Sequence, residues 1–180
     1  MAGRPSKPMT EKRLGNMIQY YLERYDQPAA HVRRHFLRKI TQSAREHQTD
    51  TAALTEALDA NLARLVSGGT INDARVAENL IRTGRQRGWA ERRIKLASAS
   101  KGIGRDLIDG LMRTSEDAGT DRAAALLLAR RRRLGPWRTG VDSPELRRKE
   151  LAILARAGFS YGVARDVVGA ALDELDDSEL

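Results

Sequence analysis

Short apolar stripes at three- and four-residue spacing, each halted by glycine or a polar run, recur along the whole chain. Leu14, Ile18, Tyr21, Leu22 and Tyr25 form the first, predicting a helix from near Thr10 to about Tyr25. Pro28 opens a second, in which Val32, Phe36, Leu37 and Ile40 run beside Arg33, Arg34, Arg38 and Lys39. The polar run TQSAREHQTD then predicts a break. Asp50 or Thr51 is placed to cap a third helix, with Leu54, Leu58, Leu62 and Leu65 inward and Gly68-Gly69 at its end.

The same pattern returns in INDARVAENLIRTGRQRGW. Asn72 or Asp73 supplies the capping oxygen, and Val76, Ala77, Leu80, Ile81 and Gly84 share one face. Arg75, Glu78, Asn79, Arg82, Arg85 and Gln86 gather on the opposite, outward face, and Gly88 stops the helix. Two shorter helices follow, about 90–101 with Ile94 and Ala97 buried, and about 105–112 with Leu107, Ile108 and Leu111 buried. Residues 121–134 begin the pattern once more at Asp121, with AAALLLA buried all round. Helices over about 144–157 and 161–175 complete it, the last burying Val163, Val167, Val168 and Leu172. Aligning Gly102 with Gly158 sets Leu107 against Val163 and Leu111 against Val167. The expected organisation is therefore three tandem three-helix repeats: 11–69, 70–116 and 117–175. A basic flexible tail (1–10) and an acidic tail (176–180) flank them.

Composition supports an all-α chain. Only 4% of residues are aromatic, β-branched residues are scattered, and no stretch alternates as a strand does. Cysteine is absent, which removes disulfides and thiolate-based metal or redox chemistry. No apolar run is long enough to span a bilayer, and MAGRPSKPMTEKRLGN has no signal-like apolar segment, so a soluble cytoplasmic protein is expected. The formal charge of +8 is uneven: residues 150–180 carry −5 and the rest +13. A basic body fits a polyanion or an acidic protein surface, or serves solubility alone.

No catalytic constellation emerges. A phosphate-binding loop is missing, and Gly102-Ile103-Gly104 lacks the third glycine and the strand of a dinucleotide site. His31 and His35 share a helix face, but Arg33 and Arg34 beside them oppose a cation, so no metal or cofactor is expected. RRIKLASASKGIGRDLIDGLM has the outline of a helix-turn-helix, which makes a general DNA-binding protein the alternative reading. Its would-be reading helix, however, carries Asp106 and Asp109, which phosphates repel. Arg130, Arg131, Arg132 and Arg133 form the densest basic run, either solubilising a helix end or meeting phosphates and carboxylates. Trp89 and Trp137 stand at helix junctions, where packing over a helix end is the commoner use and base stacking the alternative.

The chain resembles the RecX family of recombination regulators. Asp73-Ala74-Arg75, Ala77-Glu78, Arg82, Gly88-Trp89, Arg92-Arg93-Ile94 and Lys101-Gly102-Ile103 carry the resemblance, together with LVSGGTINDARVA and RRKELAILARAGFSYGVARDVV. It covers residues 54–172 well and 14–40 weakly. Val76 and Leu80 stand where aromatic residues are expected, which marks a divergent member. The resemblance implies an elongated, curved array of helical repeats without catalytic activity. It implies a monomer that binds the RecA filament on DNA and inhibits its growth, ATP hydrolysis, strand exchange and stimulation of repressor cleavage, the trigger of the SOS response in DNA repair. Weak to moderate, salt-dependent binding to single- or double-stranded DNA is also expected. The candidate contact residues are Arg33, Arg34, Arg38, Arg82, Arg85, Arg92, Arg93, Lys95, Arg130, Arg131, Arg132, Arg133, Arg147 and Arg148.

Overall fold

A computed structural model describes residues 7–116, 119–172 and 175, and within them the fold is all-helical. Nine α-helices follow in order: α1 (Glu11–Leu22), α2 (Ala29–His47), α3 (Thr51–Ser67), α4 (Asp73–Gln86), α5 (Glu91–Lys101), α6 (Arg105–Thr114), α7 (Asp121–Arg132), α8 (Pro144–Arg156) and α9 (Tyr161–Gly169). A short 3-10 turn, Gly135–Trp137, links α7 to α8. The chain divides into two compact units, one of residues 1–76 with 101–103 and the other of 77–100 with 104–180.

In the first unit the expected stripes meet. Leu14 and Ile18 of α1, Val32, Phe36 and Ile40 of α2, and Leu54, Leu58 and Leu62 of α3 form one buried cluster, closed by Met9 and Ile71. Each such side chain contributes about 1.5–3 kcal/mol when fully buried. Caps set the helix starts: Thr10 accepts from the Arg13 amide, and Asp50 from those of Ala52 and Ala53. Two expectations are corrected. Helix α2 does not break at TQSAREH but continues to His47, because its polar side chains find partners on the helix and on the chain just before α1. Thr41 donates to the Leu37 carbonyl (3.0 Å), Gln42 donates to Glu46 (2.9 Å), and the buried Ser43 hydroxyl accepts from the Met9 amide (2.9 Å). That last bond also anchors Met9, only 8% exposed, so the chain just before α1 is packed and not a loose tail. The rest of the expected tail, 1–6, and the acidic end, 176–180, lie outside the described residues.

In the second unit, α7, α8 and α9 pack around Ala124, Ala125, Leu126, Ala129, Leu154, Ala164, Val167 and Val168. Helix α7 is not buried all round as expected, since Leu127 keeps 44% of its surface exposed. Helix α9 ends at Gly169, well short of 175, and Leu172 is 48% exposed, so it is not a core residue. Glu150, 2% exposed, pairs with Arg138 at 2.9 Å, and Arg138 also donates to the Val168 carbonyl (2.7 Å). This buried pair ties the α7–α8 connection to α8 and α9.

A joint recurs within each unit. Asp73, the first residue of α4, accepts from the Ala29 amide at the start of α2 (2.9 Å). Asp121, the first residue of α7, accepts from the Glu91 amide at the start of α5 (2.8 Å). Neither α2 nor α5 has a capping side chain of its own, because Pro28 and Ala90 precede them. The glycines aligned from the sequence complete the joint. A Cβ on Gly102 would fall 2.7 Å from that of Ala30, and one on Gly158 3.4 Å from that of Ala90. Both glycines also have positive φ, +86° and +100°. Helix α8 differs: Ser143 caps it locally, accepting from the Leu146 amide.

Candidate polyanion-binding surface

The candidate cations separate into two groups. In the first, the charge is already answered within the chain. Arg33 of α2 makes a two-pronged pair with Asp59 of α3 at 2.7 and 2.9 Å, whose hydrogen bonds hold the Asp59 carboxyl below the usual carboxylate range. Lys95 of α5 lies between Asp109 (2.8 Å) and Glu91 (2.6 Å), and their hydrogen bonds raise its pKa. Arg147 is joined to Asp142 through both Nε and Nη2. These exposed, solvent-screened pairs add little to stability, but a partner would have to compete with them.

Arg85 departs furthest from expectation. It does not face outward: it is 8% exposed, donating to Asp121 at 2.6 Å and to the Trp89 carbonyl at 3.0 Å. Its place on α4 puts it under the start of α7, where the Asp121 carboxylate serves both the guanidinium and the Glu91 amide. It is a structural cation, not a surface one.

In the second group the side chains are exposed, and none makes an ion pair with a carboxylate among the described residues: Arg38, Arg82, Arg92, Arg93, Arg130, Arg131, Arg132, Arg133 and Arg148. Arg82 donates to Asn79 (3.1 Å). Arg34 is exposed on α2. The run 130–133 closes α7, with Arg133 in the left-handed conformation (φ 55°) at its end. Trp137 packs against the core of the second unit. Trp89 is half-buried and carries the Arg93 guanidinium 4.3 Å from its ring centroid.

Two candidates are brought together with a third that sequence reasoning missed. Arg92 and Arg93 of α5 and Arg156 of α8 line a shallow groove of about 400 Å³ around Leu96, which is 64% exposed. Gly158 forms part of the floor beside Ala157. The nearness of Arg156 had no signal in its own surroundings; it follows from the glycine joint that sets α8 against the start of α5.

The histidines stand in cationic surroundings. Burial, then Lys101, Arg34 and Arg38, lower the pKa of His31; burial, then Lys39, Arg38 and His31, lower that of His35. The outline of a DNA-reading helix is likewise altered, since the Asp109 carboxylate of α6 is engaged by Lys95 and Arg105.

Residues 72–112, which span α4, α5 and most of α6, match the family model described as "RecX, second three-helix domain". Over 156 residues, 86% of this chain and 83% of the relative, the sequence is 32% identical to the regulatory protein RecX of Myxococcus xanthus. The chain belongs to the RecX family. The RecX of Streptomyces coelicolor is 30% identical over 154 residues, covering 82% of this chain and 80% of that one. The crystal structure of RecX from Lactobacillus salivarius superposes with a TM-score of 0.64 at 20% identity, over 88% of this chain and 94% of that one, which shows a shared helical-repeat fold. RecX relatives are named regulatory proteins, not enzymes. No helix among the described residues is long and apolar enough to cross a membrane.

Proposed function

We propose that this RecX-family chain binds the RecA filament on DNA and limits its growth, ATP hydrolysis and strand exchange. The observation that carries the reading is the groove of Arg92, Arg93 and Arg156 around the exposed Leu96. Three cations beside one apolar side chain offer what an acidic protein surface with an apolar contact needs, in a place whose lining has no competing carboxylate among the described residues. The arginines at the end of α7 supply a second contact, to phosphates of the DNA within the filament. Acting along a filament in the cytoplasm, a monomer without cofactor suffices.

The test is to add the chain substoichiometrically to RecA on single-stranded DNA and follow ATP hydrolysis. Inhibition is expected well below the amount that coats the DNA, and replacing Arg92, Arg93 and Arg156 with alanine together is expected to abolish it. Inhibition that begins only at coating levels would sink the reading. It would favour a protein acting on DNA directly, whose binding without recombinase falls steeply with salt.

A further inference from the structure

Three of the chain's four tyrosines, Tyr20, Tyr21 and Tyr25, line one groove of about 750 Å³ between α1 and α2. Tyr21 is held in place: its ring stacks on His35 (4.7 Å between centroids, 18° between planes) and meets Phe36 edge-on at 5.8 Å. Tyr25 leans on it at 5.0 Å. Tyr20 and Tyr25, by contrast, are 59% and 52% exposed. Arg13 and Lys39 line the same groove, and the Arg24 guanidinium lies 3.7 Å from the Tyr20 ring centroid. No carboxylate among the described residues lines it, and Asp26, next to Tyr25 in the chain, is already taken by Arg75 at 3.0 Å. His35, its pKa lowered by burial and by Lys39 and Arg38, keeps a neutral ring beneath Tyr21 at neutral pH.

A platform of aromatic faces rimmed by cations suits a ligand that is flat and apolar at one end and anionic at the other. Unpaired nucleotides have that make-up: each base offers a π-face, and successive bases are joined by phosphates. Base pairs in a duplex hide their faces, and an acidic peptide would use the cations but not the rings. We infer that the α1–α2 groove binds a single-stranded nucleic acid, with bases on Tyr20 and Tyr25 and phosphates on Arg13, Arg24 and Lys39. The inference deepens the filament reading, on which it rests for the setting in which a single strand is at hand.

The full chain is titrated, by fluorescence anisotropy, against a labelled thymidine strand of about 20 nucleotides and an abasic strand of equal length, long enough to fill such a groove. The native chain should bind the thymidine strand about tenfold or more tightly than the abasic one, since each stacked base is worth that order. Tyr20→Ala with Tyr25→Ala should lose this preference while keeping the native circular dichroism; Tyr20→Trp should retain it. Equal binding of the two strands by the native chain, or an unchanged preference in the double variant, overturns the inference. Tighter binding of polyglutamate than of the thymidine strand, kept in the double variant but lost when Arg13, Arg24 and Lys39 are replaced with alanine, would make an acidic peptide the occupant and overturn it as well. The filament reading fails separately: a chain that prefers the thymidine strand yet leaves RecA ATP hydrolysis untouched sinks that reading alone. One that inhibits RecA without preferring bases sinks the groove alone.

Discussion

Arg85 and Arg93 stand eight positions apart on neighbouring helices, yet one is buried against Asp121 and the other exposed beside Trp89. Helical projection puts Arg85 outward because it sees only neighbours on the same helix. The partner that draws it inward is 36 residues away. Asp121→Ala should therefore cost stability without touching the binding surface. It strips Arg85 of its carboxylate and the start of α5 of its acceptor. The loss should be about 2–3 kcal/mol in urea unfolding, between the roughly 1 kcal/mol of a lost cap and the 3–5 of a broken buried pair. Glu150→Ala removes a 2%-exposed carboxylate from Arg138, which keeps Asp142 and the Val168 carbonyl as partners, and should cost about 1–3 kcal/mol. The histidines set a pH dependence. His31 and His35 have folded pKa values below the ordinary one, so in the unfolded chain they take up protons that the folded chain resists. Stability is then full above the unfolded pKa of about 6.5 and declines as pH falls from there toward the folded values. Melting temperature should drop between pH 7.5 and 5.5, and His31→Gln with His35→Gln should flatten that drop. The carboxylates lowered by pairing, Asp59, Asp109 and Asp142, act only in the more acid range below about 3.9, so the two effects separate on the pH axis.

At the scale of the helix, the apolar stripes are readable because they repeat every three or four residues and depend on nothing distant. Leu54, Leu58 and Leu62 are buried as that spacing requires, and Asp50 caps α3 as its position requires. Helix ends are less readable, since each depends on a partner the local sequence does not contain. The run TQSAREH looks like a break until Met9 is placed against Ser43, and the α9 stripe looks longer than the helix that forms. Asp73 is legible as an end-of-helix residue, but not as the acceptor for a different helix; Asn72 does the local capping, accepting from the Arg75 amide at 3.0 Å. Gly102 is legible both as a stop and, through its alignment with Gly158, as a repeated position. Its close approach to Ala30 makes it demanding. Gly102→Ala combines positive φ with a Cβ separation of 2.7 Å and should destabilise the chain by about 1–3 kcal/mol in chemical denaturation. Gly110→Ala, where a Cβ would meet nothing within 4 Å, should not destabilise it and serves as the control.

For the whole molecule, the 32 lysines and arginines overstate the cations open to a partner, since Arg33, Arg85, Lys95 and Arg147 are each paired with a carboxylate of the chain itself. The sequence pattern places Arg92, Arg93 and the run 130–133 on the surface, and there they are. Which of them share a groove depends on the packing of α5 with α8, which no local pattern encodes. Replacing Arg130, Arg131, Arg132 and Arg133 with alanine should weaken binding to RecA–DNA filaments. The slope of log affinity against log salt should fall by about 0.7 for each single-strand phosphate that is no longer neutralised. Anisotropy at several salt concentrations measures it, and an unchanged slope would remove these arginines from the DNA-binding surface. The recurring joint, finally, bears on how such a chain is made. As it leaves the ribosome, α2 lacks an acceptor for its first amide until Asp73 follows, 44 positions later, and α5 waits 30 positions for Asp121. Helix α8 carries Ser143 with it and waits for nothing. Synthesis thus leaves α2 and α5 each open at the first amide until a later helix begins, whereas α8 emerges with its cap already in place.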